Sequence, residues 1–214
     1  KMIFYYHYGY DCYHSKDSAW LEAAGGYLED KSELYQNISN IVSEVGERYG
    51  NKLHGWFFDG GRRYYDSHFD GSSSKGILGA PFKDITRSAR GGNPQRIISY
   101  NSWILPRSTE YQDYYAGEGH RQFTDLDEGV FREGKYKGLM AHSCFTLEKR
   151  WGHIDWNTPI AAPKYSLEQL TDDIRHAQEN RYPLSINLEM YEDGSVSPDS
   201  YELLEKIRIQ IRGE

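Results

Sequence analysis

The segment His54-Gly55-Trp56-Phe57-Phe58-Asp59-Gly60-Gly61 reads as the end of a buried strand. Leu53 to Phe58 is apolar and aromatic enough to be covered on both faces, and it stops abruptly at a carboxylate followed by two glycines that let the chain turn away. Asp59 is therefore expected at the C-terminal tip of a strand. In parallel α/β folds reacting groups sit at such tips, because the loops leaving the strand ends line the ligand crevice or the barrel mouth. A plainer role is also open, in which Asp59 only accepts hydrogen bonds from the amides of its own turn.

Outward from this strand the same unit recurs. Met2 to Tyr8 reads as an earlier strand, followed by a Gly-, Asp- and Ser-rich loop through Gly26. Leu34, Ile38, Ile41, Val42 and Val45 then follow helical spacing over 32–49, with Gly50 as the stop. After Asp59 a polar loop over 62–79 and a short helix around 84–90 lead to a third strand, Arg96-Ile-Ile-Ser-Tyr-Asn101. A long connection, 102–136, precedes a fourth strand predicted over 137–144. Ser166-Leu-Glu-Gln169 is a capping box that opens a helix over 166–180, Pro183 to Glu189 is a fifth strand, and Ser197-Pro198 starts a last helix over 198–212.

Strands recurring roughly every 45 residues with helices between them indicate consecutive parallel βα units. Five such units fit either a doubly wound sheet or part of a (β/α)8 TIM-like barrel, which needs eight strands and about 250 residues. Carboxylate-bearing or aromatic loops follow every strand, whereas an open sheet concentrates its site at one switch point, so the expectation is a single α/β domain forming roughly the last five βα units of a barrel. Met2–Tyr8 would then lie at an uncovered sheet edge, for which an N-terminal segment or a second chain is the expected partner. The chain starts at Lys1 and enters a strand at once, as an excised piece would.

Composition narrows the chemistry. With 25 Lys+Arg against 32 Asp+Glu and no basic run, the net charge of −7 disfavours a nucleic-acid partner. No apolar run is long enough to span a membrane. Two cysteines, Cys12 and Cys144, exclude a disulfide framework and leave one bridge or two thiols open. The 19 Tyr and 5 Trp suit a carbohydrate cleft, since ring faces cover C–H patches while their OH and NH groups meet hydroxyls, although a Tyr-rich core would use the same residues. The histidines lack metal-ligand spacing, no glycine-rich stretch continues into a phosphate loop, and no nucleophile elbow occurs, so neither metal nor cofactor is expected.

Several stretches resemble the α-L-fucosidases of glycoside hydrolase family 29. Glu44-Val-Gly-Glu-Arg-Tyr49 with Gly55-Trp-Phe-Phe-Asp-Gly-Gly61 resembles that family's Glu-Leu…Tyr…Trp-Phe-Asp-Gly helix and strand. Arg96–Asn101, Asp113-Tyr-Tyr-Ala-Gly-Glu118 and Pro183-Leu-Ser-Ile-Asn-Leu-Glu…Asp-Gly-Ser-Val-Ser-Pro198 resemble later stretches in the same order. The resemblance implies a retaining, exo-acting glycosidase with Asp59 as nucleophile. The sequence departs from the pattern where Ala116-Gly117 replaces Thr-Pro before Glu118, where Ala141-His-Ser-Cys144 replaces a Trp-Glu segment, and at Met190-Tyr191.

A retaining glycosidase needs two carboxyls about 5–5.5 Å apart, one to attack and one to protonate the leaving oxygen. Asp59 takes the first role, and Glu118, on a long loop that can reach over a sugar, takes the second, with Glu110 as the alternative acid. Trp56, His54, Tyr6, Tyr64, Trp103, His142 and Trp151 are the expected sugar contacts. The expected substrate is an oligosaccharide or glycoconjugate in a secreted, periplasmic or lysosome-like compartment. The alternative reading is a non-catalytic carbohydrate-binding protein on a degenerate glycosidase barrel.

Overall fold

A computed structural model describes residues 1–7, 18–25, 32–60, 80–101 and 107–213. Tyr8, Cys12, Gly61, Tyr64 with the rest of the 62–79 loop, and Trp103 lie outside the described residues. The chain divides into two compact units, Lys1–Tyr115 and Ala116–Glu214.

The first unit is built on a parallel sheet of β1 (Ile3–His7), β2 (Gly55–Asp59) and β3 (Ile97–Tyr100), in that spatial order. Register runs from Ile3 opposite Gly55 to His7 opposite Asp59, and from Gly55 opposite Ile97 to Phe58 opposite Tyr100. Alternation sends Trp56, Phe58, Ile98 and Tyr100 to one face, where they join α2 (Ser32–Tyr49) and α3 (Phe82–Ala89) in one core through Leu34, Ile38, Val42 and Ile85. The helical spacing of Leu34, Ile38 and Val42 works as expected, since these residues are buried along one stripe. A further helix, α1 (Ser18–Ala24), lies where the sequence suggested only loop. Ala19, Leu21, Glu22, Ala23 and Ala24 are good helix formers, and that local preference outweighs the loop-like residues around them.

The helix ends of this unit converge on Arg96, which is fully buried. Its guanidinium donates to the carbonyls of Leu53 and Gly91 at 3.0 and 2.7 Å, Ala89 at 2.5 Å, and Gly46 and Gly50 at 2.9 Å each. Among the described residues no carboxylate is involved. Carbonyls at and near helix C-termini supply the negative potential, and burial lowers the guanidinium pKa from its usual value.

The second unit pairs β6 (Ser143–Thr146) with β7 (Leu184–Asn187), also parallel, under α4 (Leu167–Glu179) and α5 (Pro198–Arg212). Phe145, Leu147, Leu170 and Ile207 form its core. The capping box at Ser166 and Gln169 is present, Pro198 opens α5, and Gly213 ends it in the left-handed conformation. A hairpin of β4 (Leu126–Asp127) and β5 (Val130–Phe131) turns through Glu128 (φ 49°) and Gly129 (φ 81°), as a type I′ turn requires.

That hairpin corrects the fourth predicted strand. Residues 138–141 are not its first half, because their backbone serves the hairpin: Gly138 N–H donates to Phe131 O, Phe131 N–H to Leu139 O, and Ala141 N–H to Gly129 O. Leu139 and Ala141 are fully buried, which is why the apolar pattern reads as strand, yet the true strand begins at Ser143. The other four predicted strands stand within two residues of β1, β2, β3 and β7, and the two pairings within the first sheet are parallel. Among the described residues the strands form three separate sheets, of three, two and two strands, in an α/β fold without a closed eight-stranded barrel.

Candidate active site

Asp59 is the last residue of β2, at the C-terminal edge of the first sheet. Its carboxylate is held from three sides: Tyr5 Oη donates to Oδ2 at 2.7 Å, Asn101 Nδ2 to Oδ1 at 3.2 Å, and Gly60 N–H to Oδ1 at 2.8 Å. Tyr5 and Asn101 come from β1 and from the residue following β3, so the two neighbouring strands both grip the group. Each carboxylate oxygen has two acceptor sites, and among the described residues Oδ2 receives only Tyr5. Asp59 is half-buried and Tyr5 is 61% exposed.

Strand parity explains which aromatic residue belongs here. Tyr5 and Phe57 share Asp59's face and stack at 5.8 Å. Tyr6 lies on the opposite face, edge-on to Trp56 and Phe58. Trp56 is buried on that same face, and its Nε1 donates to Ala89 O at 3.1 Å. His54 precedes β2 at the other end of the sheet, where its Nδ1 accepts from Met2 N–H at 3.2 Å. Of the expected sugar contacts in this unit, Tyr6, Trp56 and His54 are thus placed in packing positions. Tyr5 and Asn101 are the ones brought to Asp59, and the register of His7 opposite Asp59 is the signal that would have found Tyr5.

The outer edge of β3 is covered by residues 112–114 rather than by a strand. Asp113 N–H donates to Ile98 O while Asp113 Oδ2 accepts from Ile98 N–H at 2.8 Å, and Arg90 clamps the carboxylate at 3.0 and 2.8 Å. Tyr114 Oη reaches Trp56 O at 2.8 Å. Glu110 is exposed beside Tyr111, whose hydroxyl pKa is raised first by desolvation and then by the charge and hydrogen bond of Glu110.

Within the second unit, Glu118 is half-buried and sits in a short bridge to β6. Cys144 N–H donates to Gly117 O at 3.2 Å, and Gly119 N–H donates to Cys144 O at 2.8 Å. Gly117 has φ 71°, and a Cβ there would stand 1.6 Å from His142 O, so only glycine allows this approach. Glu118 is therefore carried on backbone tied to a strand. Nearby His120 has its pKa lowered by desolvation and by the charge of Lys135. His142 is buried, with Nδ1 paired to Ala116 O and Nε2 to Ser185 Oγ, each at 2.9 Å. Cys144 is a half-buried thiol.

Two carboxylates that the sequence reading passed over lie just beyond the C-terminal ends of β6 and β7. Glu148 is fully buried; its Oε2 accepts from Glu189 N–H at 2.9 Å and its Oε1 from Ser200 Oγ. Glu189 is 3% exposed, and its Oε1 accepts from Arg150 N–H at 2.7 Å. Thr146-Leu147-Glu148 and Asn187-Leu188-Glu189 share a strand-Leu-Glu ending, and that repetition was the available signal. Trp151, by contrast, is 47% exposed on the loop after β6, where its carbonyl accepts from Asn187 Nδ2 at 2.9 Å. Among the described residues no cluster of His, Cys, Asp or Glu could hold a metal ion, and no helix is long and apolar enough to cross a membrane.

No family model matches the chain, and no curated protein does. Solved structures do. The endo-fucoidan hydrolase P5AFcnA of glycoside hydrolase family 107 is similar at a TM-score of 0.66 and 14% identity, over 99% of this chain and 65% of its own. MfFcnA9 of the same family is similar at 0.63 and 14% identity, over 95% of this chain and 41% of its own. α-L-Fucosidase isoenzyme 1 from Paenibacillus thiaminolyticus is similar at 0.60 and 16% identity, over 98% of this chain and 48% of its own. The chain thus spans between 41% and 65% of the length of these proteins. At such identities the likeness is one of fold: this chain has an α/β fold shared with fucose-acting glycoside hydrolases of two families.

Proposed function

We propose that this chain is the catalytic part of a glycoside hydrolase that removes terminal fucose, or a related sugar, by a retaining double displacement. The observation that carries the reading is the half-exposed Asp59 carboxylate, fixed at a parallel strand tip by Tyr5, Asn101 and its own turn. The shared fold with fucose-acting hydrolases and the family 29 resemblance around Trp56–Gly61 support the sugar.

In this scheme Asp59 Oδ2 attacks the anomeric carbon as the glycosidic bond breaks, and a second carboxylic acid, the role expected of Glu118 from the sequence, gives its proton to the leaving oxygen. That second group, now a carboxylate, then takes a proton from water, whose oxygen attacks the same carbon and releases Asp59. Tyr5 keeps the attacking carboxylate aligned throughout. A segment or partner chain against β1, which is an edge strand among the described residues and exposes Ile3 and Tyr5, completes the sheet.

An aryl α-L-fucoside tests the reading. Asp59→Ala should lower turnover about ten-thousandfold, a size seen when a reacting group is removed. Added azide should restore release of the aryl group and yield the glycosyl azide of inverted configuration. Wild-type chain that binds fucosides without turning them over would favour the carbohydrate-binding alternative.

A further inference from the structure

We infer that the loops following β6 and β7 form a docking surface for a neutral oligosaccharide chain, centred on Trp156; this rests on the glycosidase reading above. The loop after β6 projects Trp151, Ile154 and Trp156, and the loop after β7 projects Met190, with exposures of 47, 67, 77 and 56%. Large apolar side chains exposed on neighbouring loops mark binding surfaces when the backbone beneath them is fixed.

Here the backbone is fixed. Trp156 stands at the tip of a turn closed by Thr158 N–H to Asp155 O at 3.2 Å, with Asn157 in the left-handed conformation at φ 56°. Arg150 Nη1 holds Asp155 at 2.6 Å, and Asn157 N–H donates to Glu192 Oε1 at 3.2 Å, tying the turn to the loop after β7. His153 is wedged beneath the turn, its Nε2 3.3 Å from Thr158 Oγ1 and its ring edge-on to Tyr191 at 5.5 Å. The turn that carries Trp156 is therefore held in place, and a fixed turn lowers the ordering cost of binding.

Position and charge select the ligand. Both loops leave the C-terminal ends of parallel strands, where ligands of such folds bind. Flat indole faces match the C–H faces of pyranose rings. Of the cations on these loops, Arg150 is engaged by Asp155 and Lys164 donates to Thr146 Oγ1 at 2.5 Å, which among the described residues leaves Lys149 to set against Glu192 and Asp193. A sulfated chain is held best by free Arg forks, and among the described residues the one Arg of these loops, Arg150, is engaged, so the surface suits an uncharged glycan.

Calorimetric titration of the 214-residue chain with a neutral fucose-terminated tetrasaccharide and with its sulfated counterpart tests this, alongside hydrolysis of an aryl α-L-fucoside. Trp156→Ala should weaken tetrasaccharide binding about tenfold, Trp156→Phe should retain most of it, and the aryl fucoside rate should stay unchanged in both. The sulfated chain should bind more weakly than the neutral one. Loss of aryl fucoside turnover in the wild type, with Trp156-dependent binding intact, would remove the glycosidase reading and leave the docking surface standing. No tetrasaccharide binding, unchanged binding in Trp156→Ala, tighter binding of the sulfated chain, or a wild-type dimer that Trp156→Ala dissolves would overturn it.

Discussion

The carboxylates of the two units are held in opposite ways. Among the described residues Asp59 takes two of its three hydrogen bonds from side chains on, or just after, the neighbouring strands, and it remains half-exposed, with one oxygen accepting a single bond. Glu148 is sealed from water with both oxygens engaged, one by a main-chain N–H and one by Ser200. The first arrangement orients a reactive group and leaves it reachable. The second ties the loop after β7 and the first turn of α5 to the end of β6, and it works as a strut. Both sit at C-terminal strand ends, so position alone does not identify a catalytic acid; the origin of its hydrogen bonds and its access to solvent do.

Substitutions can break this distinction. The largest expected effect is on activity without stability: Asp59→Ala should abolish turnover while shifting the unfolding free energy by less than about 1 kcal/mol, since the group is half in water. A thermal or urea melt displaced by several kcal/mol would make Asp59 a strut as well. Glu148→Ala should do the reverse. Leaving Ser200 and Glu189 N–H unsatisfied in a dry site should cost about 3 kcal/mol in urea unfolding, and aryl fucoside kinetics below the melt should be little changed. A specific loss of kcat in a folded Glu148→Ala protein would contradict the assignment.

Smaller effects sharpen the same contrast. Gly117→Ala forces a Cβ onto His142 O at a positive φ, and should cost about 2 kcal/mol or more together with the activity attributed to Glu118. Normal stability with full activity would show that the bridge to β6 does not position Glu118. Tyr5→Phe removes one donor from Asp59 at an exposed site, so kcat/KM should fall about tenfold, roughly 1.4 kcal/mol, with no change in the melt. An unchanged kcat/KM would show that Tyr5 does not align the carboxylate.

Much of the first unit was readable because the residues obey one rule at a time. The continuous apolar and aromatic run and the Asp-Gly-Gly ending marked β2 and its tip, and helical spacing marked α2. What failed was parity between strands: Tyr6 has the right residue type beside the right strand, but register puts Tyr5 on Asp59's face. In the second unit long-range pairing intervened. Residues 138–141 are as apolar as a strand, yet the β4–β5 hairpin uses their backbone, a contact no local pattern announces. Glu148 and Glu189 were missed because a buried glutamate is recognised by what satisfies it, and Ser200 is 52 residues from Glu148 in sequence. The fold-level likeness to fucose-acting hydrolases does not distinguish these carboxylates, since it is carried by the backbone.

The most direct test of Asp59 as the attacking group is to trap the covalent intermediate. A 2-deoxy-2-fluoro-α-L-fucosyl fluoride slows both steps but the second more, so the sugar should accumulate on the nucleophile. Peptide mapping by mass spectrometry should then find one fluorofucosyl group, esterified to Asp59 in the peptide carrying Trp56-Phe57-Phe58-Asp59. A label on Glu118, Glu148 or Glu189, or rapid turnover of an aryl fucoside with no trapped adduct, would contradict the assignment of Asp59.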